Sequence, residues 1–211
     1  MKGETTMMNI KRLLLGTSIA TLTCAYAGSA LAQQPGNSPF SYNYLDLGYT
    51  EGEIFDEDFS SYGARAAFSI SPAFFLKGSY STGESDRSFF TGTGSEPIEV
   101  DNYSFGLGYH TPLSSNTDLV AGVSYLGSEG EFAGFEEEGD GYGANLGVRT
   151  LLTDNFEVEG GINYVDGDDI DGEVGYDVTA RLYLTDQVSL NAGYAEIKEQ
   201  SGVRAGIRLN F

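Results

Sequence analysis

From Tyr42 to Phe211 apolar and polar residues alternate with a period of two, in stretches ended by Gly, Pro, Asn or Asp. Side chains alternate across an extended strand, so this pattern predicts strands with one apolar and one polar face. Ten segments carry it: 42–51, 61–70, 74–82, 101–110, 117–126, 141–150, 156–165, 174–184, 188–196 and 202–211. In 101–110, for example, Tyr103, Phe105, Leu107 and Tyr109 form one face, and Asn102, Ser104, Gly106, Gly108 and His110 the other. No stretch has a convincing helical period.

The connections alternate too. Short ones fall at Ser71–Ala73, Thr111–Asn116, Leu151–Asn155 and Thr185–Gln187, and long ones near 52–60, 83–100, 127–140, 166–173 and 197–201. The expected fold is all-β: a closed antiparallel up-and-down barrel of ten strands, with eight as the alternative. Short turns at one end and longer loops at the other are the pattern of transmembrane barrels.

A soluble sandwich or barrel also alternates, so the polarity of the faces must decide. Nine segments place a tyrosine on the apolar face beside a long connection: Tyr49, Tyr62, Tyr80, Tyr103, Tyr125, Tyr142, Tyr164, Tyr176 and Tyr194. A bilayer rewards such a ring, because the phenol body sits in hydrocarbon while its hydroxyl reaches the headgroups. A sparser set, Phe68, Phe74, Tyr109, Phe156 and Phe211, marks the opposite ends. Charges sort the other way. Arg65, Lys77, Arg149, Arg181, Arg204 and Arg208 share the polar faces with Asp46, Asp118, Glu157, Glu159 and Asp177. Mixed charge suits a closed lumen, where each ion needs a partner. Up-and-down order brings Arg204 or Arg208 towards Asp46, and Arg181 towards Glu159.

The first 32 residues read differently. Lys11-Arg12, an apolar run from Leu13 to Ala27 and Ala30-Leu31-Ala32 form a cleavable export signal. The run is too short for a spanning helix. Met7 and Met8 are alternative starts. Cutting after Ala32 leaves one domain, 33–211. It removes Lys2, Lys11, Arg12 and Glu4, leaving 8 basic and 30 acidic residues and a net charge of −22. That acidity argues against nucleic acid. Cys24 leaves with the signal, so disulfides, thiol catalysis and cysteine-ligated metals are excluded.

The last segment alternates Val203, Ala205, Ile207, Leu209 up to a terminal Phe211. It resembles the closing strand by which bacterial outer-membrane proteins are recognised for assembly. The mature chain as a whole resembles the small outer-membrane β-barrel families of the OmpA-barrel, OmpX and opacity-protein kind. The resemblance implies the bacterial outer membrane as location. It implies outer-membrane lipid and lipopolysaccharide as surroundings, and the barrel-assembly machinery as a partner for Phe211. It carries over no catalytic residue and no cofactor.

Candidate chemistry is sparse. His110 is the only histidine, and it falls on the polar face beside a short turn. Outer-membrane deacylases need a His–Ser pair outside the barrel, and ten-stranded proteases need His at the external rim. The expected function is therefore a structural or surface-interaction barrel with a packed polar lumen, with a narrow porin as the alternative and a lipid-modifying or proteolytic enzyme as the remote third. Asp166, Asp168, Asp169 and Asp171 resemble a calcium loop but miss its spacing, so a weak divalent site is the most they imply. Such ions would bridge acidic residues to anionic lipopolysaccharide. Glycines on the polar faces either leave the lumen open or relieve curvature.

Overall fold

The computed structural model describes residues 38–54, 57–85, 89–90, 95–132, 135–167, 170–198 and 200–211. The expected export signal, 1–32, and the acids Asp168 and Asp169 lie outside these. Ten strands form the barrel: β1 Tyr44–Ile54, β2 Glu57–Ser69, β3 Phe74–Ser85, β4 Glu99–Ser114 and β5 Thr117–Phe132. They continue with β6 Phe135–Thr153, β7 Phe156–Gly167, β8 Ile170–Tyr183, β9 Val188–Ile197 and β10 Gln200–Asn210. Each pairs antiparallel with its chain neighbours, and β1 pairs with β10 to close the barrel. Closure removes every sheet edge, which lets the backbone satisfy itself in hydrocarbon. Phe211 N–H donates to the Asn43 carbonyl at 3.2 Å, so both ends of the barrel chain meet at the short-turn end.

Two expectations about boundaries are corrected. First, most of the expected long loops are strand. β4 and β5 have 16 residues each and β6 has 19, whereas a tilted spanning strand needs roughly 9–11. The residues near 52–60, 127–140 and 166–173 are largely ladder that runs past the tyrosines, and Asp166 itself pairs with Tyr142. Among the described residues, 83–100 keeps a separate feature, the short antiparallel pairing of Phe89–Phe90 with Ser95–Glu96. Second, β1 starts at Tyr44, so Tyr42 is not in the barrel wall.

Polarity inverts along the strands at the tyrosines. Below them, towards the short turns, Leu47, Phe105, Val123, Leu146, Ile162 and Val178 are exposed on the outer face. Above them the same outward parity carries acids: Glu99 and Asp101 on β4, Glu129 and Glu131 on β5, Glu138 and Asp140 on β6. On the inward parity above the tyrosines Phe59, Ile98, Val100, Leu126, Val165 and Ile197 are buried, interspersed with small residues and with Glu137 and Glu173. The upper strands are thus patterned as a soluble barrel and the lower strands as its inverse.

The upper acids also face one another. Glu84, Glu99, Glu131 and Glu136 stand opposite in successive ladders from β3 to β6, and Asp101, Glu129 and Glu138 form a second row. Like charges directly opposite destabilise a sheet.

Candidate functional site

The inner faces build one continuous site, the lumen. The alternation that turns Leu, Val and Ile outward turns every predicted inner charge inward. Asp46, Arg65, Lys77, Asp118, Arg149, Glu157, Glu159, Asp177, Arg181, Arg204 and Arg208 are all buried. Ionic groups taken from water need partners, and register supplies them. Arg181 is directly opposite Glu157, Arg149 opposite Glu159 and Asp118, and Asp46 opposite both Arg208 and Arg65.

Glu157 is the hub. Arg149 donates to both of its carboxylate oxygens, from Nε at 3.1 Å and Nη2 at 3.0 Å. Arg181 Nη1 and the Tyr183 hydroxyl also donate to it. Two guanidinium groups and a phenol hold one carboxylate that is fully buried. The expected approach of Arg181 to Glu159 is present as an ion pair at 3.9 Å, while the hydrogen bond of Arg181 goes to Glu157. The ladder explains it, since Glu159 lies opposite Thr179 rather than Arg181. Arg149 stands 3.8 Å from Glu159, whose two oxygens accept no hydrogen bond among the described residues.

A second group lies on the β1–β10 side. Arg208 donates to Asp46, and Asn191 donates to the other Asp46 oxygen at 2.9 Å. Of the two arginines expected near Asp46, Arg208 takes the place. Arg204 stands over Gly48, where a Cβ would meet its Nε at 2.4 Å. Lys77 donates to Asn145 at 3.1 Å, and Asn163 to Asp177 at 2.8 Å. The inner glycines make room for large neighbours. A Cβ on Gly108 would sit 2.1 Å from the Phe75 ring.

At the short-turn end the lumen is filled by residues the strand pattern did not assign to it. Ser38–Asn43 precedes β1 and turns inward, burying Phe40, Ser41 and Tyr42. The Tyr42 ring stacks on His110 with centroids 3.9 Å apart and on Phe75 at 4.7 Å. The Tyr42 hydroxyl donates to Asp118 at 2.9 Å, and the Ser38 hydroxyl donates to the same oxygen at 2.6 Å. His110 Nδ1 lies 3.2 Å from that oxygen. The Arg149 guanidinium covers the Phe40 ring at 4.3 Å, and Arg208 covers Tyr44 at 3.8 Å. Cation–π contact gives these arginines an apolar roof without removing their charge. Phe40, Tyr42, Tyr44, Ala67, Phe75 and Val120 form one cluster.

At the opposite end Leu126, Val165 and Ile197, from β5, β7 and β9, meet in a second apolar cluster. The lumen is thus layered: aromatic floor, charged middle, aliphatic ceiling. His110, the one candidate for acid–base chemistry, is buried in the floor against Tyr42. Of the tentative divalent loop, Asp166 accepts from Tyr164 at 3.1 Å. Among the described residues no cluster of three metal-ligating side chains occurs.

The tyrosines stand on the outer wall. Eight of the nine are exposed and Tyr194 is half-buried. Register pairs Tyr49 with Tyr62, Tyr80 with Tyr103 and Tyr125 with Tyr142. Phe211 is also outward and exposed.

The model of the outer membrane protein β-barrel domain matches residues 20–195. The chain belongs to that family and is an outer-membrane β-barrel protein. Solved structures of similar fold include the NanC porin, 7% identical, with a TM-score of 0.51 over 79% of this chain and 100% of that one. They also include an outer-membrane channel from Pseudomonas putida F1, 10% identical, TM-score 0.51, covering 88% of this chain and 99% of that one. At such identity the likeness concerns the fold. No curated protein matches.

Proposed function

We propose that this outer-membrane barrel is a closed, non-enzymatic surface barrel with a packed polar lumen, and that it acts through its outer wall and upper rim. The carrying observation is the pair of buried apolar clusters, Phe40 and Tyr42 with their neighbours at one end and Leu126, Val165 and Ile197 at the other, which we read as two closures. A conducting path needs a continuous wet route, and apolar constrictions oppose one by dewetting. The short-turn end is periplasmic in this reading and the acidic rim is external.

The wall and rim suggest their own partners. The nine tyrosines anchor in the headgroup region, and the acidic rows above them meet lipopolysaccharide phosphates through divalent cations. Opposed carboxylates repel, and a shared hard cation relieves them through oxygen ligands. Export through a cleaved segment 1–32 and recognition of Phe211 by the assembly machinery belong to the same proposal.

A narrow porin is the second reading. It is favoured by the charged middle layer, where Glu159 and parts of Arg181 and Arg208 have unfilled hydrogen-bonding capacity. Planar-bilayer recording separates the two. The closed reading expects no steady conductance from the purified full-length barrel, and a stable unitary conductance would refute it.

A further inference from the structure

The two closures differ in how they are built. The ceiling residues Leu126, Val165 and Ile197 lie on strands paired along both edges. They cannot leave the lumen without opening the wall. The floor is a segment before the first strand. Its last residue, Asn43, is tied to both neighbours: the carbonyl accepts from Phe211 and Oδ1 accepts from Ser69 at 2.8 Å. Before that tie, among the described residues, the hydrogen bonds from Ser38–Tyr42 to the barrel run through two side chains into one carboxylate, Asp118. The rest is ring contact: Tyr42 on His110 and Phe75, and Phe40 under Arg149.

We propose that Ser38–Asn43 is a displaceable plug, latched on Asp118, whose release opens the charged middle of the lumen to the periplasm while the aliphatic ceiling stays shut. The proposal rests on the closed-lumen reading. Release swings the segment about Asn43 and breaks no strand pairing. The groups it uncovers, Asp118, His110 and Arg149, are hydrated readily, so water replaces what the plug supplied. The apolar loss is that of one cluster, the Phe40 and Tyr42 rings and the surfaces of Tyr44, Ala67, Phe75 and Val120 packed with them. The barrel then has one movable end and one fixed end, and the space between them is a chamber, not a channel.

Thiol labelling in the lumen tests this. Thr179 is buried on the inner face of β8, opposite Glu159 and between the two closures. Thr179→Cys on a full-length Cys24→Ser chain is folded in detergent micelles and treated with a small charged methanethiosulfonate reagent. Labelling is slow with the native plug. It accelerates at least tenfold in Phe40→Gly/Tyr42→Gly, which leaves the strands untouched, and by a smaller factor in Tyr42→Phe, which keeps the stack but loses one latch bond. Heat-modifiable migration reports folding. If the double variant fails to fold, Asp118→Asn with the plug intact gives the same readout. Slow labelling in both the native and the released variants would overturn the plug. Fast labelling with the native plug would overturn the closed lumen itself, a different failure.

Discussion

Below the tyrosines β4 to β6 turn Phe105, Val123 and Leu146 outward, and above them the same strands turn out Asp101, Glu129 and Glu138. Inside, charged and small residues give way to Val100, Leu126 and Val165. The backbone does not change; the solvent does. These three strands are written twice, once for a barrel wrapped in hydrocarbon and once for a barrel wrapped in water. In the proposed reading the tyrosines stand where the two meet. The comparison also explains why the paired charges Asp46–Arg208, Arg149–Glu157 and Arg181–Glu157 lie inside the lower part. There the outside admits no ions, and the lumen is the one place for the groups that fix register and fill the barrel.

The largest expected effect comes from breaking the lower interior. Arg181→Ala leaves Glu157 with one guanidinium fewer, at a cost of about 3–5 kcal/mol where burial is complete. Glu138→Ala, on the outer face above the tyrosines, changes stability by about 0.5 kcal/mol at most. Denaturant unfolding from lipid vesicles measures both, and equal midpoints would mean that the inner charges are merely solvated. The outer wall comes next. Ile162→Arg places a charge on the apolar face and costs about 2–4 kcal/mol near the midplane, while Glu129→Arg above the boundary costs almost nothing. The upper interior follows. Leu126→Ala removes part of the ceiling and costs about 2 kcal/mol, the low end for a buried leucine because the cluster is small among the described residues. The smallest effect is on the acidic rows. Adding Ca²⁺ or Mg²⁺ to the folded barrel raises its unfolding temperature by a few degrees, and Glu129→Gln/Glu131→Gln reduces the response. A response that the substitutions leave unchanged would place the cations elsewhere.

The lower half of each strand was legible because hydrocarbon enforces a strict period of two. The ten segments, the ten strands and the inward set from Asp46 to Arg208 all follow from that period. The upper halves resemble loops in sequence because acids are common in loops. Yet Glu99, Asp101 and Tyr103 share one parity, with Ile98, Val100 and Asn102 on the other. The period continues there with its polarity exchanged, and that exchange was the available signal. The plug left a fainter one. Phe40, Tyr42 and Tyr44 lie on the inward parity of β1, which is polar from Asp46 onward. Three aromatics on a lumen face mark a filled end. The choice of Glu157 over Glu159 by Arg181 was not legible, because it depends on a register that periodicity alone does not fix.

Membrane depth along β6 tests the boundary most directly. The chain contains no tryptophan, so single replacements give a clean emission signal. Tryptophan is placed in turn at the outward positions Glu138, Asp140, Tyr142, Ala144, Leu146 and Val148, and each variant is folded into vesicles of lipids brominated on the acyl chains. Quenching is expected to be absent at Glu138 and Asp140, to begin at Tyr142 and to be strong at Leu146. Strong quenching at Glu138, or none at Leu146, would contradict the account.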